Sequence, residues 1–248
     1  MFPLRDEIPS RRAPVVTLTI IALNVAVFLY QSALPPQRLE AIFYLFGIVP
    51  ARYSDPAWAA GVGLPPGGVV PFVTSMFLHG GLAHLLFNMW TLWIFGDNVE
   101  DRLGRVRYSL FYLVSGLAAG ALHWATNAGS TVPTIGASGA IAGVLGAYLV
   151  YFPHARVLTL VPVFFYPLFV RIPALIYLGI WFVGQLASGA LAGGGGPESG
   201  GIAWWAHVGG VLAGMALALP LARRAPPAPP LAPRHFVYSR VPERGHWR

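Results

Sequence analysis

Long apolar stretches, separated by short charged, glycine-rich or proline-rich segments, dominate the pattern along this chain. A helix that crosses a bilayer needs about 20 predominantly apolar residues, and six segments fit that requirement. The first runs from Val15 to about Ala33, and the second ends at Gly96, just before the charged stretch Asp97-Asn98-Val99-Glu100-Asp101-Arg102. The third covers Tyr108 to Trp124, and the polar residues from Asn127 to Thr134 form a turn before the fourth, Gly136 to Phe152. The fifth spans about Pro173 to Ala192, the glycine linker Gly193 to Gly201 follows, and the sixth is Ile202 to about Leu219. The expected architecture is an all-α membrane protein of six transmembrane helices.

The polar intervals define the organisation. Residues 1–14 are expected to form a cytoplasmic N-terminal segment and residues 15–222 a six-helix core. Within that core, residues 34–70, rich in Pro, Gly and aromatics, are expected to form a large, partly helical outer loop. Residues 223–248 change to Pro, Ala and Arg, a composition that cannot bury enough apolar surface to fold and predicts a disordered cytoplasmic tail. The apolar run after Arg5 is too long for the h-region of a cleaved signal peptide. No internal repeat is evident.

Composition sharpens this picture. The chain is 56% apolar and 10% charged with a mean hydropathy of +0.61, far from the balance of a soluble domain. Its net charge of +7 raises nucleic acid as a partner. The arginines, however, are scattered between apolar segments and in the tail, with no clustered basic face, so nucleic acid is not expected as a partner. All 16 basic residues are arginine. With the N-terminus inside, every one except Arg38 and Arg52 falls on the inner face, which predicts that both termini are cytoplasmic. With no cysteine, thiolate chemistry and disulfides are excluded.

Polar residues inside apolar spans are costly and therefore candidates for function. At about 1.5 Å per residue, His84, Ser138 and His207 lie about 18, 21 and 20 Å above the inner ends of spans two, four and six. All three share one layer, about 10 Å below the outer surface of a core about 30 Å thick. Asn88 stands one turn below His84 on the same helix face.

Taken singly, each has an ordinary structural explanation: a small residue at a helix seam, a histidine bonded to a carbonyl, an interhelical amide. A serine between glycines and two histidines at one depth call for a common explanation. Gly136, Gly139 and Gly143 clear space around Ser138. Gly210 and Gly214 form a second small-residue face on the helix of His207, so the two helices can approach backbone to backbone.

At that approach the neutral His207 imidazole can take the Ser138 proton as the hydroxyl attacks a carbonyl. His84, Asn88 and the Ser138 backbone N–H are suited to stabilise the developing oxyanion. Spans four and six carry no acid to serve as a third member, so the histidine has to be oriented by packing or by another hydrogen bond. His79 and His123 read as interfacial.

The stretch Phe72 to Met89, containing His79-Gly80-Gly81-Leu82-Ala83-His84-Leu85-Leu86-Phe87-Asn88, resembles the second-span signature of bacterial rhomboid proteases, and the likeness continues through Gly96 to Asp101. Gly136 to Gly139 is similar to that family's Gly-x-Ser-Gly, and Ala206-His207 with Gly209, Gly210 and Gly214 to its last-span motif.

The resemblance covers roughly residues 10 to 220. It implies a six-helix rhomboid-like bundle in a bacterial inner membrane, a serine endopeptidase that uses no cofactor or metal, and transmembrane protein substrates cut near their outer ends. It also implies that the fifth helix and the first loop act as substrate gate and membrane-embedded support. The sequence departs from the family in three places: Ala142 stands where many relatives carry an aromatic against the histidine, the Trp-Arg pair before the second span is absent, and the glycine linker and Pro/Arg tail fall outside the matched motifs. The competing expectations are an inactive rhomboid-like escort of membrane proteins and, more remotely, a transporter, although duplicated halves are not apparent.

Overall fold

The computed structural model describes residues 1–65, 67–192 and 203–221. The glycine linker at 193–201 and the tail at 223–248 lie outside the described residues. The chain opens with a strand, β1 (Phe2–Asp6), followed by the apolar helix α1 (Val15–Ser32). The outer loop holds three short helices, α2 (Pro36–Phe46), α3 (Ala51–Ser54) and α4 (Pro56–Gly61), and α5 (Val70–Thr74) begins where it ends. After a single 3-10 turn come α6 (Leu82–Leu103), α7 (Arg105–Thr126) and α8 (Ser138–Tyr151). A hairpin of β2 (Arg156–Val163) and β3 (Tyr166–Pro173) leads to α9 (Ala174–Ala192), and α10 (Trp204–Leu221) ends the described chain.

Among the described residues, α1, α9 and α10 are long and apolar enough to cross a membrane, and the bent pair of α5 with its 3-10 turn and α6 makes a fourth candidate. The six expected spans outnumber these because α8 has only 14 residues and α7 is not among the candidate spans. At 1.5 Å per residue α8 is about 21 Å long, shorter than a hydrocarbon core of about 30 Å.

The small residues of α8 allow it to be the centre of the bundle, packed by α10, α7 and α6. A methyl on Gly210 would strike the carbonyl of Gly139, and one on Gly214 the carbonyl of Gly143, so α8 and α10 meet backbone to backbone. Around this seam Leu92, Phe95, Val99, Tyr108, Phe111, Val144 and Tyr148 are fully buried. Helix α9, by contrast, is peripheral and leaves Leu175, Ile176, Ile180 and Val183 exposed.

Two features differ from the sequence expectation. Helix α6 runs through the charged stretch as far as Leu103, where Gly104 ends it at φ 78°. This extension places Glu100 under α1, whose N-terminus has no capping side chain of its own. Glu100 accepts from the amides of Val16 (3.0 Å) and Thr17 (2.8 Å), supplying acceptors for two otherwise unpaired N–H groups.

The second difference is that the fold is not all-α. Strands β1, β2 and β3 form one antiparallel sheet in that order. The hairpin turns at Phe164-Phe165, which are 94% and 97% exposed, with Phe164 at φ 52°. Tyr166, Leu168 and Phe169 are exposed as well. A tip of this composition is suited to lipid rather than water. At the foot of the sheet, Asp6 accepts from Tyr148 Oη (2.6 Å) and Asn98 Nδ2 (2.8 Å), and burial pushes its carboxyl up to about 6.

Candidate active site

Ser138 is the first residue of α8, and its N–H belongs to the helix turn that has no intrahelical acceptor. The chain reaches this point through Gly136, whose φ of 128° suits glycine. The Gly136 amide donates to the Ser75 carbonyl (2.9 Å). The outer loop holds the same approach, because Ile48 and Thr134 exchange backbone hydrogen bonds of 3.0 and 2.7 Å.

His207 lies in the first turn of α10, three residues before Gly210. Because Gly210 rests on Gly139, the next residue after Ser138, the seam brings hydroxyl and imidazole together. The Ser138 Oγ to His207 Nε2 distance is 2.8 Å. The other ring nitrogen, Nδ1, is 2.6 Å from Gln185 Oε1 on α9. Both His207 and Gln185 are buried.

The sequence reading missed Gln185. Its signal was there, an amide in the middle of an apolar helix, which is a costly placement without a partner. The aromatic support absent at Ala142 comes from other elements: the Trp181 ring lies 5.8 Å from that of His207 and the Trp204 ring 6.5 Å, edge-on. Trp181 and Gln185 are one turn apart on α9, so both reach the same imidazole.

His84 and Asn88 face the serine from α6. A methyl built on Gly136 would lie 2.8 Å from His84 Nε2 and 3.8 Å from Asn88 Nδ2, so both side chains converge on the backbone just before Ser138. The Asn88 amide nitrogen is buried with no hydrogen-bond partner. An unpaired buried donor costs about 1–3 kcal/mol, so this amide is a candidate for binding an acceptor that enters the site. Asn88 Nδ2 and His84 thus stand beside the backbone that leads into the Ser138 N–H.

A cavity of about 1160 Å³ opens beside these residues; Ser138, His207, His84, Asn88 and Trp181 are among those that line it. Among the described residues no group of three or more His, Asp or Glu could hold a metal ion.

His79 and His123, expected to be interfacial, are both buried within the protein. His123 Nε2 lies 2.7 Å from Thr134 Oγ1, beneath the approach to α8. The backbone of His79 is tied to the Gln31 side chain on α1 by two bonds of 3.0 and 3.2 Å. Arg52 anchors the outer loop, donating to the carbonyls of Pro65 (2.8 Å) and Leu45 (3.1 Å).

The fold and site together define a mostly helical membrane protein with a serine and a histidine hydrogen-bonded on adjoining helices. A family profile described as the rhomboid domain matches residues 66–224, well over half of the chain, and the chain belongs to the rhomboid family. Members of that family are generally intramembrane serine proteases.

Among similar proteins, the putative rhomboid protease YdcA of Bacillus subtilis is 34% identical over 115 residues, 45% of this chain and 57% of that protein. The rhomboid protease AarA of Providencia stuartii is 28% identical over 159 residues, 57% of this chain and 52% of that protein. The rhomboid protease GluP of B. subtilis is 43% identical over 77 residues, 31% of this chain and 15% of that protein. The matched regions thus span little more than half of these relatives at most.

Proposed function

We propose that this protein is an intramembrane serine endopeptidase that cuts transmembrane substrates near the outer membrane face. Ser138 is the nucleophile and His207 its general base. The observation that carries the reading is the 2.8 Å contact between Ser138 Oγ and His207 Nε2, deep in a bundle where an unpaired hydroxyl or imidazole would be costly.

In the first step Ser138 Oγ attacks the scissile carbonyl carbon and its proton passes to His207 Nε2. The carbonyl oxygen becomes an oxyanion facing Asn88, His84 and the Ser138 N–H. His207 then gives the proton to the departing amine, the C–N bond breaks, and an acyl-serine remains. Water, deprotonated by the same imidazole, hydrolyses that ester and restores the serine. The chain topology completing this reading is six spans with both termini on the cytoplasmic side of a bacterial inner membrane. Residues 1–14 and 223–248 then lie inside and residues 34–70 outside.

For Nε2 to accept the serine proton, Nδ1 must carry the other one, and Gln185 Oε1 is its acceptor. Gln185 thus takes the orienting position that an acid holds in a triad, without its charge. Gln185→Leu is expected to lower kcat by up to about 10²-fold, since misorienting a base costs on that order. KM should stay within twofold, and Gln185→Glu, which keeps the acceptor, should restore most of the rate. Equal loss in both variants would assign Gln185 to packing alone.

An escort that binds membrane proteins without cutting them could share the same fold. A fluorophosphonate probe separates the two readings. Wild-type protein in detergent is expected to be labelled at Ser138 and Ser138→Ala to remain unlabelled. Failure of the wild type to label while it still binds transmembrane segments would favour the escort.

A further inference from the structure

Strand β1 occupies an unusual place. Phe2 stacks on Trp90 with ring centroids 5.7 Å apart and meets Phe87 edge-on at 6.1 Å. Trp90 Nε1 donates to the Pro3 carbonyl (2.7 Å). Trp90 and Phe87 flank Asn88 on α6, and Met1, Phe2 and Pro3 line the same cavity as Ser138 and His207. Helices α6 and α9 have no substantial packing on each other. On its other side β1 pairs with β2, Phe2 opposite Leu160 and Asp6 opposite Val157. The strand therefore runs from the cavity toward the inner ends of α6 and α8, where Tyr148 and Asn98 hold Asp6.

An extended chain in lipid needs a partner for every backbone N–H and C=O, each unpaired group costing several kcal/mol. A substrate helix that unwinds beside Ser138 therefore needs new backbone partners, and the β2 edge that Phe2–Asp6 fill, leading away from the same cavity, offers them. Its present occupant is a weak one: five residues, with a proline that cannot donate and a register shift between Pro3 and Arg5. Direction matches too. A substrate with its N-terminus outside runs inward on the C-terminal side of the scissile bond, the same way that β1 runs from Phe2 to Asp6.

We infer that the β2 edge filled by Phe2–Asp6 is the docking edge for the unwound, inner part of a transmembrane substrate, and that β1 is a displaceable occupant of it. This rests on the protease reading above. Strand addition to a sheet edge supplies affinity through main-chain bonds with little demand on sequence, which suits substrates that share only an apolar helix. The pairing gives the substrate's backbone polar groups partners on β2, and the apolar hairpin faces lipid around it.

The cysteine-free chain allows a clean test. Phe2→Cys with Leu160→Cys places two thiols directly opposite across the ladder, a spacing compatible with a disulfide. The full-length protein in liposomes is compared oxidised and reduced, with a single-span reporter substrate and a small fluorophosphonate. The oxidised form is expected to cut the reporter at least about tenfold more slowly, because strand addition is blocked. Reductant should restore the rate, and probe labelling of Ser138 should stay within twofold throughout.

Phe2→Ala, which removes the stacking on Trp90, should raise cleavage about two- to tenfold. Reporter cleavage unchanged by oxidation overturns the inference, as does failure of the thiols to cross-link. Loss of probe labelling together with cleavage also overturns it, because β1 would then be a structural part of the cavity. A reduced protein that neither labels nor cuts contradicts the protease reading itself, and the docking inference falls with it.

Discussion

Ser138→Ala and His207→Ala are each expected to reduce cleavage of a transmembrane reporter by about 10⁴-fold or more, and the double variant to be no slower than either single one. Nucleophile and base act as a unit, so removing the second member of a broken pair costs nothing further. The residual rate comes from binding and from the oxyanion donors. Here those donors sit on α6 and on the α8 backbone, untouched by either substitution. Initial rates in liposomes at matched protein density measure the effect, with thermal unfolding in detergent to show that both variants fold. His207 is 8% exposed and Gln185 equally so; His207→Ala leaves Gln185 Oε1 without its donor and Ser138→Ala leaves His207 Nε2 without its partner, so a modest loss of stability accompanies both variants. Undiminished cleavage by either single variant would remove the serine–histidine assignment.

Much of this arrangement was legible in the sequence because lipid makes polar residues conspicuous. Ser138, His207, His84 and Asn88 stand out in apolar helices, and their equal depth follows from counting residues along parallel spans. The small-residue faces of α8 and α10 carried the information that these helices meet. Gln185 belongs to the same class of signal but lies on α9, which runs the opposite way, so counting from a shared end does not bring it level with the others.

The sheet was hidden for a different reason. Arg156 to Pro173 is apolar apart from Arg156, Thr159 and Arg171, without the alternation that marks a half-buried strand, and its turn is Phe164-Phe165 rather than a glycine or asparagine pair. Pro162, Pro167 and Pro173 argue against a helix there, which was the available clue. Strand β1 depends on a partner about 150 residues away along the chain, and no local pattern announces that.

The α8–α10 seam carries the second large expected effect. Gly210→Val is expected to lower both reporter cleavage and Ser138 labelling by about 10²-fold or more, because a displacement of about 1 Å at a reacting pair costs that much. The added side chain meets the Gly139 carbonyl, and backbone there cannot move aside as a flexible side chain would. Relief comes only by moving α10 outward, which carries His207, one turn earlier on α10, away from Ser138, the residue next to Gly139. Overpacking of this kind also destabilises by about 1–3 kcal/mol, so the melting temperature should fall. Gly184→Ala provides the contrast. A methyl at Gly184 meets nothing within 4 Å, and alanine favours a helix over glycine by about 1 kcal/mol, so that variant should match or exceed wild-type stability and retain activity. If Gly210→Val kept full activity, close backbone contact would not be what sets the distance between hydroxyl and imidazole. If Gly184→Ala lost activity as Gly210→Val does, the sensitivity would lie in helix glycines generally rather than in this seam.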